Sequence, residues 1–337
     1  MKPFSSLTER GQALRLRQLA LHALTQYDLD VSRVRLITND MNGIFRVDTM
    51  DGRKFVLRVT VPEGGHTMDH VTAEMDWLAA LSRDTNLRVS RPIPSNNGDL
   101  VVEASLDGVP EPRLCAVFSW VPGKDLAEDI TPENFSKLGE LMARLHQHAS
   151  NYQPASQLSL LKFDQVFPFP EPVVLFEDVY TDLFPPERRA IYEHGIAWAQ
   201  ESIDRLKASA EPMRILHGDL HQWNVRVSRG VLSPIDFEDL MLGWPVQDIA
   251  TTLYYFLNES YSVLREAFRT GYSQIAPWPE RYPGEIDSFI AARGLGMANF
   301  VLNDPSLIGN TPPLEFIQRI EKRLIVLLKE NQRLTGE

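Results

Sequence analysis

Hydrophobic and polar positions follow two different periods along this chain, and the change falls near residue 121. Over residues 8–27, Leu14, Leu16, Leu19, Leu21 and Leu24 recur among Arg15, Arg17 and Gln18 at roughly helical spacing, which predicts a helix. The pattern then turns strand-like. Residues 34–37, 44–49 and 54–59 read as strands, Asn39 to Gly43 as a turn cluster, and Asp51-Gly52 as a hairpin signal. Residues 32–60 therefore predict an antiparallel meander. A helix is expected over 68–81, with Val71, Met75, Leu78 and Leu81 on one face. A loop through Pro92, Pro94 and Asn96-Asn97-Gly98 follows, then strands over 100–104 and 113–120.

Residues 121–125 break this pattern, which places a boundary between an N-lobe, 1–120, and a C-lobe, 121–337. Beyond it the chain reads as mostly helical. Thr131 caps a helix, Pro132 takes its first position, and the helix runs to about His148. His146 and His148 then suit the negative end of its dipole. Residues 151–186 carry six prolines and read as an irregular excursion. Further helices are expected over 187–208, 246–258, 260–272, 284–303 and 313–333, with loops and short strands over 214–240. Strands and helices are segregated along the chain. That predicts an α+β fold of two lobes rather than a parallel βαβ sheet.

Composition narrows the function classes. A length of 337 residues suggests roughly two domains. A hydrophobic share of 43% is enough to build a core and excludes a disordered chain. Thirty-four basic against 45 acidic residues, a net charge of −11, argue against nucleic acid as the partner. No apolar run reaches the length of a membrane span, and the first twenty residues lack a secretion-signal core. A cytoplasmic chain is expected. The sole cysteine, Cys115, cannot form an internal disulfide, and its apolar neighbours make it a buried structural thiol.

The chemistry concentrates in Leu216-His217-Gly218-Asp219-Leu220-His221-Gln222-Trp223-Asn224 and in Ile235-Asp236-Phe237-Glu238-Asp239. Asp219, Asn224 and Asp236 lie in loops beside apolar strand segments, where functional groups gather. Phosphoryl transfer needs a carboxylate to orient the attacking hydroxyl. It also needs a carboxylate and a carboxamide oxygen for Mg²⁺, a hard cation. The competing reading is a transition-metal site on His217-x-Asp219-x-His221, which leaves Asn224 and Asp236 unexplained. Glu238 and Asp239 read as a solvated acidic turn as readily as a metal site. Asp248 reads as a residue that pins a loop or caps a helix.

The two spaced motifs closely resemble those of the aminoglycoside phosphotransferase and choline kinase-like family, whose fold is similar to that of protein kinases. The resemblance implies a bilobal kinase-like fold, ATP and Mg²⁺ as cofactors, Asp219 as catalytic base, and Asn224 and Asp236 as metal ligands. Residues 55–59 resemble the strand whose basic residue holds the phosphates. Arg58 fits that position where many kinases have Lys, and Lys54 is the alternative on the same face. Glu74 resembles the acid that pairs with that base. Residues 39–46, with Gly43 as their one glycine, resemble the loop over the phosphates. Residues 117–123, including Ser119 and Val121, resemble the hinge that reads adenine. Residues 244–250 resemble a helix start with a structural Asp.

The implied reaction moves the γ-phosphoryl group of ATP to a hydroxyl of a small molecule that is amino alcohol-, homoserine- or aminoglycoside-like. The homoserine kinase-like and stress-response kinase branches resemble the chain most. Two alternatives stand beside it: a Ser/Thr protein kinase of the bacterial stress-response type, and a non-catalytic pseudokinase module suggested by Arg58 and the glycine-poor loop. Fifteen acidic against seven basic residues over 171–259 suit either an acidic surface or an acceptor cleft for an amine-bearing alcohol. The sequence sets no oligomeric state.

Overall fold

The computed structural model describes residues 2–39, 42–61, 67–153, 160–257 and 261–335. Its first elements are α1 (Glu9–Leu24), β1 (Val31–Thr38), β2 (Gly43–Thr49), β3 (Lys54–Val59), α2 (Met68–Asp84), β4 (Pro92–Ile93), β5 (Val102–Ala104), β6 (Arg113–Ser119) and β7 (Lys124–Asp125). Then come α3 (Pro132–Asn151), α4 (Pro186–Ala208), β8 (Arg214–Leu216), β9 (Val225–Ser228), β10 (Val231–Pro234) and β11 (Met241–Gly243). The chain closes with α5 (Pro245–Tyr254), α6 (Tyr261–Ser273), α7 (Glu285–Asn303) and α8 (Pro313–Thr335). This is the α+β composition expected. Two compact units form. One takes Met1–Lys124, Tyr152–Leu160 and Arg226–Glu238. The other takes Asp125–Asn151, Leu161–Val225 and Asp239–Glu337.

The first unit is built on an antiparallel sheet in the order β1-β2-β3-β6-β4, with β5 also paired to β6. The Asp51-Gly52 turn sets the β2–β3 register, which pairs Phe45 with Leu57 and Ile44 with Arg58. Phe45, Val47, Phe55, Leu57, Val59, Cys115 and Val117 share a core with Leu16, Leu19, Ala20, Ala23 and Leu24 of α1. Strand alternation therefore turns Arg58 to the other face. Burial pushes the Cys115 thiol up to about 12, so it is an inert structural group. Pro92–Ile93, expected as loop, pairs with β6. Proline fits there because β4 ends the sheet order and has one side unpaired.

The second unit is helical. α7 packs against α4, α5 and α8 and is buried along most of its length. α3 and α6 meet through two glycines: a Cβ at Gly139 would lie 2.0 Å from the Phe268 carbonyl oxygen, and one at Gly271 1.8 Å from that of Ser136. Thr131 caps α3 as expected, its Oγ1 accepting from Asn134 N at 3.2 Å. The helix continues past His148 to Asn151, so His146 lies inside the helix rather than in its last turn. It is buried, with Nε2 3.1 Å from Asp248 Oδ2 and Nδ1 2.9 Å from the Tyr272 hydroxyl. The short antiparallel pair β8–β11 aligns Leu216 with Met241, and the motif loop begins directly after it. No helix among the described residues is long and apolar enough to cross a membrane.

Candidate active site

The motif loop of the second unit is held from below by Asp248. That carboxylate accepts from His217 N at 3.2 Å and Gly218 N at 3.0 Å. Burial opposes ionisation of Asp248, but His146, His217 and the Gly218 N–H together hold it below the usual carboxylate range. Asp248 thus pins the loop, as the sequence suggested. Gly218 has φ +82°, and a Cβ there would lie 2.1 Å from the Asp239 carbonyl oxygen, so only glycine fits the turn.

Asp219 is the centre of this loop. Its Oδ1 accepts from Arg293 Nη2 at 2.6 Å, and its Oδ2 lies 3.2 Å from His221 Nε2. Burial alone would raise its pKa; Arg293, His221 and His217 together bring it down to about 2. It is therefore ionised throughout the neutral range. Asn224 Nδ2 donates to the Asp219 carbonyl at 3.0 Å, which commits the amide nitrogen and turns the carboxamide oxygen elsewhere. The histidine rings are engaged separately. His217 Nδ1 accepts from Asp219 N at 3.3 Å, and His221 Nδ1 accepts from Trp223 N at 3.3 Å. Among the described residues no group of three or more His, Cys, Asp or Glu is arranged for a metal ion.

Arg293 and Tyr255 were absent from the sequence reading. Arg293 Nη2 also donates to the Tyr255 hydroxyl at 2.9 Å. The Tyr255 ring packs edge-on to His221 at 4.9 Å and to the exposed Trp223 at 5.8 Å. One signal could have found Arg293: it is the sole charged residue in the stretch 288–302, and a lone charge in a buried helix needs a partner.

In the first unit, Arg58 and Glu74 meet as anticipated. Arg58 Nη1 donates to Glu74 Oε1 at 3.0 Å, Nη2 donates to Glu74 Oε2, and both side chains are buried. Lys54 is exposed at the start of β3, so Arg58 is the base that α2 contacts. Burial disfavours both charges. Glu74, Glu238 and Asp236 nevertheless hold Arg58 well above its ordinary range, while burial pushes Glu74 up against the pull of Arg58. Glu238 is not a solvated turn residue. Its Oε2 accepts from Asn42 Nδ2 at 2.6 Å and lies 3.6 Å from Arg58 Nη1. Its carbonyl is 2.5 Å from His70 Nε2. Asp236 is exposed and has φ +63°, a left-handed backbone that non-glycine residues seldom adopt and that clusters at functional sites.

Gly43 opens β2 opposite Val59, and a Cβ there would lie 3.2 Å from the Phe45 ring. Asp40 and Met41 of the expected phosphate loop lie outside the described residues. Ser119 Oγ accepts from Arg91 N, and Ser119 N donates to Arg91 O, both at 2.8 Å, so these two groups of the hinge are committed within the sheet. Val121 follows beyond the strand and is half-buried.

The model of the phosphotransferase enzyme family matches residues 34–283. The chain belongs to that family. It is a phosphotransferase. A curated relative, amicoumacin kinase of Bacillus subtilis (strain 168), is 27% identical over 243 residues, covering 70% of this chain and 67% of the relative. Among solved structures, amicoumacin kinase hAmiN in complex with AMP-PNP, Ca²⁺ and Ami superimposes with TM-score 0.74 at 19% identity, covering 94% of this chain and 96% of that one. A microcompartment-associated aminopropanol kinase gives 0.69 at 20% identity, covering 92% and 95%. Spectinomycin phosphotransferase in complex with ADP and spectinomycin gives 0.66 at 12%, covering 92% and 98%. These structures establish the kinase-like fold.

Proposed function

We propose that this phosphotransferase moves the γ-phosphoryl group of Mg-ATP to a hydroxyl of a small molecule. The observation that carries the reading is Asp219: a carboxylate held ionised in a loop pinned from below and backed by Asn224. An ionised carboxylate orients an acceptor hydroxyl and takes its proton as the bond to phosphorus forms. The acceptor oxygen bonds to the γ-phosphorus, the bond from that phosphorus to the β–γ bridging oxygen breaks, and ADP leaves. The relatives named for amicoumacin, aminopropanol and spectinomycin act on small molecules and favour that acceptor class over a protein.

Arg58, steadied by Glu74, is assigned to the ATP phosphates, with Gly43 at the start of β2 beside them. Ser119 and Val121 are assigned to the hinge that meets adenine. Residues 1–120 are read as the nucleotide lobe and 121–337 as the lobe of base and acceptor. Asn224 and Asp236 are assigned to Mg²⁺. The donors suit a hard cation: the Asn224 nitrogen is spent on a carbonyl, which leaves its oxygen for a metal, and Asp236 is an exposed carboxylate. Bound there, the cation neutralises phosphate charge.

The test is Mg²⁺-dependent ADP release across amino alcohols, hydroxy amino acids, choline, sugars, aminoglycosides and a generic Ser/Thr protein. A small-molecule acceptor whose turnover vanishes in Asp219→Ala is expected. Turnover of the protein acceptor alone would move the chain to the stress-response kinase reading. Nucleotide binding with no turnover of any acceptor would move it to the pseudokinase reading.

A further inference from the structure

Arg293 stands at the candidate base, yet most of its hydrogen-bonding capacity is unspent. A guanidinium carries five N–H donors in a fixed fork. Nη2 uses its two on Asp219 Oδ1 and the Tyr255 hydroxyl. Nε is buried with no hydrogen-bond partner, and Nη1 donates to none of the described residues. Arg58 also has a buried Nε without a partner, but it commits both Nη1 and Nη2 to Glu74; Arg293 gives Asp219 Nη2 alone, so Nη1 is the donor that sets it apart.

We propose that Arg293 binds an oxyanion carried by the acceptor itself, so that the acceptor is a hydroxyl compound bearing a carboxylate or phosphate. This rests on the reading of Asp219 as the residue that meets the acceptor hydroxyl. A hydroxyl bonded to Asp219 sits within about 2.6–3.2 Å of its carboxylate. Arg293 Nη2 lies 2.6 Å from that same carboxylate. Substituents one or two bonds from the reacting carbon therefore fall beside the guanidinium. The planar fork matches an oxyanion and repels an ammonium placed there. Tyr255 fixes the fork: its hydroxyl accepts from Nη2, Arg293 Cζ lies 5.8 Å from its ring centroid, and His221 and Trp223 pack against that ring. The proposal selects the anion-bearing acceptors from the wider range of small hydroxyl compounds.

The experiment is calorimetric titration of the protein saturated with Mg-AMP-PNP. The acceptors are used in pairs that differ by one oxyanion: L-threonine against 1-amino-2-propanol, L-serine against ethanolamine, and glycerol 3-phosphate against glycerol. In the wild type an oxyanion-bearing member should bind about tenfold or more tightly than its counterpart, a difference of about 1.4 kcal/mol. The pair that shows it distinguishes carboxylate from phosphate. Arg293→Gln should erase the preference, and Arg293→Lys should retain part of it. Tyr255→Phe keeps the charge and loosens the fork, so it should shrink the preference even if Arg293→Gln does not fold. No preference in the wild type, a preference that survives Arg293→Gln, or one untouched by Tyr255→Phe when Arg293→Gln is unfolded overturns the proposal. Failure to bind Mg-AMP-PNP at all defeats the phosphotransfer mechanism instead, a separate outcome.

Discussion

Arg58 with Glu74 in the first unit and Arg293 with Asp219 in the second are both arginine–carboxylate pairs, but they are built differently. The first is bidentate and sealed, its side chains 5% and 2% exposed. The second is made by one nitrogen, with side chains 15% and 16% exposed, and that nitrogen is shared with Tyr255. A sealed bidentate pair fixes the position of two elements, here β3 and α2. Arg58 also keeps an unpartnered Nε and lies 3.6 Å from Glu238, whereas the one-nitrogen pair leaves Nη1 of Arg293 uncommitted as well. Burial acts on both pairs, yet the carboxylates respond in opposite directions: Glu74 is pushed up and Asp219 is held down to about 2. For Glu74 burial outweighs the pull of Arg58 and His70, and Glu238 adds to the rise; for Asp219 the pull of Arg293, His221 and His217 outweighs burial.

The sharpest way to break this comparison is to remove each carboxylate. Asp219→Ala should lower kcat by roughly 10²–10⁴ with nucleotide affinity little changed, measured by steady-state kinetics and titration of Mg-ATP. Glu74→Ala should show itself in stability first. It leaves a buried guanidinium with Glu238, 3.6 Å away, as its nearest carboxylate and should cost about 3–5 kcal/mol in urea unfolding. If Glu74→Ala proved neutral in stability, the sealed pair would have lost its structural meaning.

Gly218→Ala tests the loop beneath Asp219. The left-handed φ alone should cost about 1–3 kcal/mol. The 2.1 Å approach to the Asp239 carbonyl adds a displacement of the loop, so kcat should fall in the folded variant.

The smallest effect is in pH. Asp219 has its pKa lowered from 3.8 to about 2, so its ionised form stabilises the fold above pH 4 and that contribution fades as pH falls from 4 through 2. Arg293→Gln removes the main attraction. The stability gap between wild type and variant should therefore be full at neutral pH and narrow on acidification. The acid limb of kcat should move to higher pH in the variant. A gap that widens below pH 4 would show that Arg293 does not hold Asp219 ionised.

The local arrangement of the candidate site was legible where its parts are close in sequence. Asp219 and Asn224 share one loop, and a backbone carbonyl links them. Asp248 was legible as a loop pin from its place at a helix start. Arg58 and Glu74 lie 16 residues apart on adjacent elements, and the choice of Arg58 over Lys54 needed only burial. Glu238, His146 and Arg293 were missed or misread for the same physical reason. Their partners are 196, 102 and 74 residues away, and nothing local to a charged residue announces which distant group will meet it. Pro92–Ile93 was misread because a two-residue strand has no period to detect.

The sequence by itself determined the strand and helix periods, the Asp51-Gly52 hairpin, the Thr131 cap and the family motif, because each depends on neighbours within a few residues. Tertiary structure alone decided which charges pair. Periodicity encodes which face of an element is buried; it does not encode what lies against that face. Arg293 shows the difference: its helix was expected from residues 284–303, but its contact with Asp219 exists only because α7 is packed where the motif loop ends.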